Sequence, residues 1–506
     1  MDMNNQPGVD IPEPEIGRGN GRILKTSSGL GYNINHIIGA GIFITPSNVW
    51  RLAQSPGSAL MLWIFGGFVS LLGSMIYVEL GTRFPDGSGE QKYLEETFNI
   101  NKIAHIFSFV MITIILPGAI IADTYACSKY LLYAIKGNYG NEDIYFGIDY
   151  IELRFVTIAL LLIITGYNMF SNRLAIRINQ TFAIIKILIL LTISIIGLVW
   201  LKDNSSRDHW KGIFNHTPPS YNNTLLNNNN TLLDKAHERS VSEQIGSYGN
   251  AMINVLFSYE GWNDLNYLTE ELDSPARSLK LSAIFSVIIT FILYLLTNVA
   301  FITVVDPTEA ISSEDIIAIS FGRTIFGEPG RIIILILILI SAFGCVGSMV
   351  FMGSRAIAYA AKYNFIPGIS QRLYYWGATP KYALLLQFVY CAVLILLAPV
   401  GTSFFPFFSD MSQYLAMVFY GVSAICLLVI KRKLTNAEYH HFKVHKYFIG
   451  LYLLCTCCII VAPFFPIPSK NYESYMPFVI SWVAIFIGAS IWYLRDYKNV
   501  FRFCYL

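Results

Sequence analysis

Four ionisable residues, Glu79, Asp123, Lys186 and Glu260, lie in or at the margins of long apolar runs. An ionisable group at the centre of a membrane-length apolar segment costs about 2.5–3.5 kcal/mol on insertion scales, so each asks for a partner and a reason. Lys186 stands in Thr-Phe-Ala-Ile-Ile-Lys-Ile-Leu-Ile-Leu. Its ammonium could snorkel to a surface. It could also lie deep and be neutral for part of a cycle, because desolvation favours the uncharged form of an amine. Glu260 has two uses. Ionised, it could meet an ammonium; protonated, it could carry a coupled proton. The plainer alternative is a helix-end acid solvated by a cavity. Asp123 is equally compatible with hydrogen-bonded packing and with function. Glu79 fits a gate or a helix-end contact at the inner end of its span.

Two apolar segments are interrupted. Residues 31–46 read Gly-Tyr-Asn-Ile-Asn-His-Ile-Ile-Gly-Ala-Gly-Ile-Phe-Ile-Thr-Pro, and residues 257–267 read Phe-Ser-Tyr-Glu-Gly-Trp-Asn-Asp-Leu-Asn-Tyr. Gly costs a helix about 1 kcal/mol relative to Ala. Irregular backbone at membrane depth survives only where protein or a water-filled cavity satisfies it. A pair of Gly-interrupted spans at corresponding places is the pattern of an inverted-repeat transporter. The N–H groups freed at a half-helix N-terminus favour an anion, and freed carbonyls favour a cation. One gap can thus hold a carboxylate and an ammonium together, the polar half of every amino acid. The alternative is that Gly39 and Gly41 only permit close helix packing.

Helices must position these groups. The chain has 506 residues, 54% hydrophobic and 13% charged, against about 25% charged in a soluble domain. That composition excludes a soluble globular protein and a disordered one. A net charge of +2 gives no footprint for nucleic acid. The expected fold class is an all-α polytopic membrane protein. Twelve apolar segments fall near 28–50, 60–82, 105–135, 153–170, 178–201, 244–270, 281–304, 331–360, 383–399, 409–430, 447–466 and 474–494. The first 27 residues contain no apolar h-region, so no cleavable signal peptide is expected. With the N-terminus in the cytoplasm, the inner loops and tails hold 21 Lys and Arg against four in the short outer loops. This is the positive-inside asymmetry and puts both termini inside. The Asn-rich loop 203–243 then lies outside. It carries four sequons, at Asn204, Asn215, Asn222 and Asn229, expected as glycosylation sites, although Asn-rich sequence also makes sequons by chance. Of the eight cysteines, Cys127, Cys345, Cys391, Cys426, Cys455, Cys457 and Cys458 lie in apolar stretches and Cys504 in the tail, so no disulfide framework is indicated.

Five pieces then carry a resemblance. They are Ile-Gly-Ala-Gly-Ile-Phe-Ile-Thr-Pro (38–46), Glu-Leu-Gly-Thr-Arg-Phe-Pro-Asp-Gly-Ser-Gly-Glu (79–90), Phe-Ser-Tyr-Glu-Gly-Trp-Asn-Asp-Leu-Asn-Tyr-Leu-Thr-Glu-Glu (257–271), Gly-Ser-Arg-Ala-Ile-Ala-Tyr-Ala-Ala-Lys-Tyr-Asn-Phe-Ile-Pro (353–367) and Phe-Lys-Val (442–444). In this order they resemble the L-type amino acid transporter family of the amino acid–polyamine–organocation superfamily, and look most like its fungal methionine permeases. The resemblance implies a five-plus-five inverted repeat with broken helices 1 and 6, plus two extra helices. The division would be an N-tail (1–27), a first repeat (28–202), the outer loop (203–243), a second repeat (244–430), spans 11 and 12 (431–494) and a C-tail (495–506). It also implies site roles. The substrate carboxylate would meet the N–H groups of Gly39, Ala40 and Gly41. The α-amine would meet carbonyls of Ile37, Phe257 and position 260, with Ser258 and Asn263 in the same binding set. Phe257 would be a lid, and Trp262 and Asn263 would support the unwound segment. Lys186 would stand where some relatives bind sodium.

This chain departs from the family's pattern at three places. Ala40 stands where many relatives have Ser, Glu260 where mammalian-type members have Gly, and Asp264 where an aromatic is usual. The loop at about 136–152 has no Cys, so the disulfide-linked heavy subunit of mammalian members is not expected. Span eight offers only Ser341 and Ser348 as hydroxyls in Ser-Ala-Phe-Gly-Cys-Val-Gly-Ser-Met. A proton is therefore favoured over sodium, with Lys186 and Glu260 as coupling groups. The expectation is a plasma-membrane permease importing amino acids, neutral ones such as methionine, with protons as partner, lipid as surroundings, and no metal or cofactor. Cationic substrates, facilitated exchange and a transporter-fold nutrient sensor are the alternatives. An enzyme is not expected, because no metal cluster, nucleophile motif or P-loop appears.

Overall fold

The computed structural model describes residues 24–98, 102–136, 150–215, 239–307, 310, 316–365, 379–398, 404–433, 442–466 and 475–504. The N-tail to residue 23 and the sequons at Asn222 and Asn229 lie outside the described residues. The described elements are helical: α1 (Thr26–Ile37), α2 (Gly41–Ala53), α3 (Pro56–Arg83), α4 (Gly89–Phe98), α5 (Lys102–Val110), a π-helical turn (Met111–Ile115), α6 (Leu116–Lys136), α7 (Tyr150–Phe170) and α8 (Asn172–Trp200). A short α9 (Asn204–Asp208) precedes α10 (Val241–Ser258), 3₁₀ turns at Asp264–Tyr267 and Thr269–Glu271, α11 (Pro275–Val304) and α12 (Ile317–Lys362). Then come α13 (Lys381–Leu397), α14 (Phe404–Lys433), α15 (Lys446–Val461) and α16 (Met476–Cys504).

Local chemistry sets several ends. Ser55 caps α3 by accepting from the Ser58 N–H, with Pro56 in the first turn, where its missing N–H costs nothing. Ser240 and Glu243 form a reciprocal capping box at α10. The 46 residues of α12 are two helices joined at Gly327, whose φ of +64° no helix allows.

Among the described residues, nine helices are long and apolar enough to cross a membrane, and α13 is a shorter apolar helix. Helix α8 shows the polarity of a lipid-embedded element. Ile184, Leu188 and Ile195 are exposed, whereas Asn179, Lys186 and Ser194 are buried. Apolar residues face outward and the polar ones face protein, as a hydrocarbon solvent requires.

The segment 244–270 is interrupted where its sequence is: α10 stops at Ser258 and 3₁₀ turns follow. Two features differ from the expected spans. The loop after the second span contains the buried face of α4, which its low apolar content hid. The start of the 203–243 loop is also folded. The Trp210 indole donates to Thr303 Oγ1 at 3.2 Å, and the Gly57 N–H donates to Ile213 O at 2.8 Å. Asn204 and Asn215 are exposed on this cap.

One buried carboxylate ties the late helices to the early ones. Glu79 on α3 accepts from Arg83 at 2.7 Å, from Lys431 on α14 at 2.8 Å, and from the Val444 N–H before α15 at 2.7 Å. Breaking a buried ion pair from one side costs about 3–5 kcal/mol, because a charge is left unpaired. Glu79→Gln should therefore lower the melting temperature of detergent-purified protein by several degrees. An unchanged melting curve would show that this tie does not hold α14 and α15 in place.

Candidate functional site

Helix α1 loses its backbone ladder at residue 35. The carbonyls of residues 35 to 39 have no N–H four residues on to accept from, because the Gly39 N–H turns back to Ile37 O at 2.9 Å and α2 starts at Gly41. Side chains from three other helices supply the donors. Lys186 Nζ on α8 donates to Asn35 O at 2.6 Å. The Cys345 thiol on α12 faces His36 O at 3.1 Å. The Tyr294 hydroxyl on α11 lies 2.6 Å from Ile37 O and 2.8 Å from Ser258 O, its one proton shared between them, joining the two interruptions. The Ser341 hydroxyl on α12 lies 3.0 Å from Ile38 O and 2.8 Å from Gly39 O. By contrast, the N–H groups of Ala40, Gly41 and Ile42 donate to no backbone acceptor among the described residues, as the first turn of a helix dictates. The break therefore offers donors, with its acceptors already engaged.

The second interruption folds against the first. Gly261 has a φ of +102°, and a Cβ there would strike the His36 ring. His36 Nδ1 pairs with Asp264, and Asn33 Nδ2 donates to Trp262 O at 3.3 Å. Trp262 is packed edge-on against Tyr77, with centroids 4.9 Å apart, and tilted against Tyr420 at 5.0 Å. Asn263 donates to Glu90 at 3.2 Å and accepts from Tyr420 at 3.3 Å. Glu90 also accepts from Tyr77 at 2.8 Å and from Tyr267. Tyr420 donates to Glu260 Oε1, and Glu260 Oε2 is buried with no partner among the described residues.

Two adjoining cavities lie beside this framework. One, a narrow space, is lined by His36, Gly39, Gly41, Asp123, Phe257 and Glu260 among others. The other has an apolar wall of Phe107, Met111, Met349, Met352 and Phe419, with Glu260, Asp264 and Tyr420 at its polar edge. They share His36, Ala119, Glu260, Met349 and Ser412, so the polar and the apolar linings adjoin. The π-helical turn supplies Met111 and Ile115 to the second wall, and the Ser412 hydroxyl donates to Ile115 O at 2.7 Å. Phe257 packs edge-on against Phe405 at 5.8 Å. Phe405 lines a further recess with Arg51, Lys129 and Asn254, so this ring pair stands between the recess and the cavity.

The structure thus brings Ile37, Gly39, Gly41, Phe257, Ser258, Glu260 and Asn263 together around these cavities. Ala40 is buried between Gly39 and Gly41. Lys186 reaches the break without lining either cavity, and Trp262 and Glu79 also lie off the lining. Two details differ from expectation. The Ile37 carbonyl, expected to meet an ammonium, already accepts two donors. Gly41 serves packing as well: a Cβ there would lie 2.8 Å from Ser258 Cα. Sequence reasoning gave no role to His36, Glu90, Tyr294 or Tyr420. A histidine beside the first Gly pair was a usable signal. Tyr294, inside an ordinary Phe-Ile-Leu-Tyr-Leu-Leu run, offered none.

Comparison with known proteins gives a consistent result. Residues 24–489 match the family model described as amino acid permease. The chain is similar to b(0,+)-type amino acid transporter 1 of Mus musculus, 26% identical over 454 residues that cover 90% of this chain and 85% of that one. It is likewise similar to the large neutral amino acids transporter small subunit 2 of Homo sapiens, 29% identical over 461 residues covering 90% and 79%.

Two substitutions test the site geometry. Tyr294→Phe removes the donor shared by Ile37 O and Ser258 O, and a buried group left unsatisfied costs about 1–3 kcal/mol. The variant should reach the membrane but melt earlier and lose most transport; parental transport would refute the bridging role. Gly41→Val should fail to yield folded protein, because its side chain meets Ser258 backbone. Recovery of well-folded Gly41→Val at parental yield would refute that packing.

Proposed function

The chain belongs to the amino acid permease family, and we propose that it is a secondary transporter importing neutral amino acids, methionine foremost, together with protons. It is a transporter and not an enzyme, and an integral membrane protein. One observation carries the substrate reading. Free N–H groups of Ala40, Gly41 and Ile42 open α2 where Gly41 lines one cavity, and the adjoining cavity has a wall of Met111, Met349, Met352, Phe107 and Phe419. A helix N-terminus suits a carboxylate. Thioethers and aromatic rings suit a long, soft apolar side chain. The name of the human relative, a transporter of large neutral amino acids, agrees with such a substrate.

The proposed architecture is twelve spans in a five-plus-five inverted repeat plus two helices. The nine long apolar helices support that reading, in which the broken α1–α2, the interrupted segment after α10 and the short α13 are the other three spans. The positive-inside asymmetry supports cytoplasmic termini and an outer loop at 203–243, with the sequons as glycosylation sites of a plasma-membrane protein. Phe257 with Phe405 then forms the outer gate. The Glu79 cluster closes the inner side. The Cys-free loop near 136–152 supports assembly without a disulfide-linked heavy subunit. Lys186 on the break carbonyl and Glu260 at the cavity edge are the proposed coupling groups. A lysine whose environment changes as the site opens alternately to two sides ties its proton affinity to the open side, which is the linkage coupled transport needs. Cationic substrates remain the second reading, favoured by Asp123 and Glu260 on the cavity wall.

Uptake of radiolabelled amino acids in permease-deficient cells tests this. Methionine should compete better than arginine, and acidic external pH should raise uptake. A protonophore should abolish accumulation. Lys186→Ala and Glu260→Gln should flatten the pH dependence. If arginine outcompetes methionine, the cationic reading replaces this one. If neither pH nor the protonophore matters, facilitated exchange does.

A further inference from the structure

We infer that Asp123 on α6 is the receptor for the substrate's α-ammonium, with Glu260 on its other side; this rests on the reading of the chain as an amino acid permease. The inference starts from what the break cannot do. The carbonyls of residues 35 to 39 all face side-chain donors, from Lys186, Cys345, Tyr294 and Ser341. An ammonium there would compete with them. The same cavity holds two carboxylate oxygens that accept no hydrogen bond among the described residues. Asp123 is 2% exposed. Its Oδ2 lies 3.2 Å from the Cys345 thiol, whose single proton is shared between it and His36 O, and its Oδ1 has no partner among the described residues. Glu260 Oε2 is in the same condition.

Position supports the assignment. A Cβ built on Gly39 would lie 3.4 Å from Asp123 Oδ2, so the carboxylate rests against the break just before the free N–H groups of α2. An α-amino acid carries its ammonium and carboxylate on one carbon, so their two receptors must be neighbours, as these are. The nearby cations are already engaged, Lys186 with Asn35 O and His36 with Asp264. A buried carboxylate with no cation of its own is costly, and a substrate ammonium supplies the missing charge. Backbone amides thus select the acid end, and Asp123 selects the amine end.

The test is titration of purified protein with methionine and with its hydroxy analogue, in which a hydroxyl replaces the α-amine. The parent should bind methionine at least about tenfold more tightly, the size of a charge-assisted hydrogen bond. Asp123→Asn keeps an acceptor for Cys345 and removes the charge. It should weaken methionine by about that factor and leave the analogue unchanged, so the discrimination collapses. Asp123→Glu keeps the charge and should retain discrimination; it serves if the Asn variant does not fold. An Asn variant that discriminates as the parent does, or either variant weakening both compounds equally, overturns the role of Asp123 alone. A parent that binds no amino acid overturns the permease reading and this inference with it.

Discussion

The structure depends on how an opened backbone is kept at membrane depth. A helix that stops inside hydrocarbon leaves polar groups that water cannot reach, and each unsatisfied one costs on the order of 1–3 kcal/mol. Here the carbonyl side of the gap is met by donors on Lys186, Cys345, Tyr294 and Ser341. These donors come from α8, α11 and α12, so the break can exist only while those helices surround it. The buried lysine and its polar neighbours follow from the same need. Asn35, Asn179 and Ser348 form one cluster, in which Asn35 Nδ2 donates to Asn179 Oδ1 at 2.8 Å and to Ser348 Oγ at 2.7 Å.

Satisfying one side of the gap makes it asymmetric. The acceptors are consumed by the protein and the donors of Ala40 to Ile42 are left over, so the backbone presents a pole for an anion. Carboxyl groups are gathered on side chains of the same cavity, at Asp123 and Glu260. The two interruptions are also joined directly, by Tyr294 across Ile37 O and Ser258 O and by the His36–Asp264 pair. A rearrangement of one interruption must move the other, or give up these buried contacts. Substrate contacts that bias one arrangement would therefore bias both.

How much of this was legible in the sequence depended on whether the signal was local. Gly39, Gly41 and Gly261 interrupt apolar runs, so the break positions could be read directly. Lys186 stood out as a charge among Ile and Leu, and it does lie buried. What the lysine touches, Asn35 O, required knowing that α8 packs on α1. Tyr294 is a single hydroxyl in an apolar span, and nothing near it marks a role 257 residues away. Helix α4 was missed because its outer face is charged, so that its mean hydropathy is that of a loop. The occupied Ile37 carbonyl was invisible for the same reason as Tyr294: it is a property of packing between distant segments.

The central claim is that the free amides opening α2 receive the carboxylate of an amino acid while the carbonyls before them stay capped by side chains. Hydrogen–deuterium exchange on the purified protein, followed over peptides spanning residues 34–46 with and without saturating methionine, measures this directly. The account predicts that methionine slows exchange at Ala40, Gly41 and Ile42 and changes Gly39 little, since its N–H is already bonded. Bound methionine that leaves those three amides exchanging as in the free protein would contradict it.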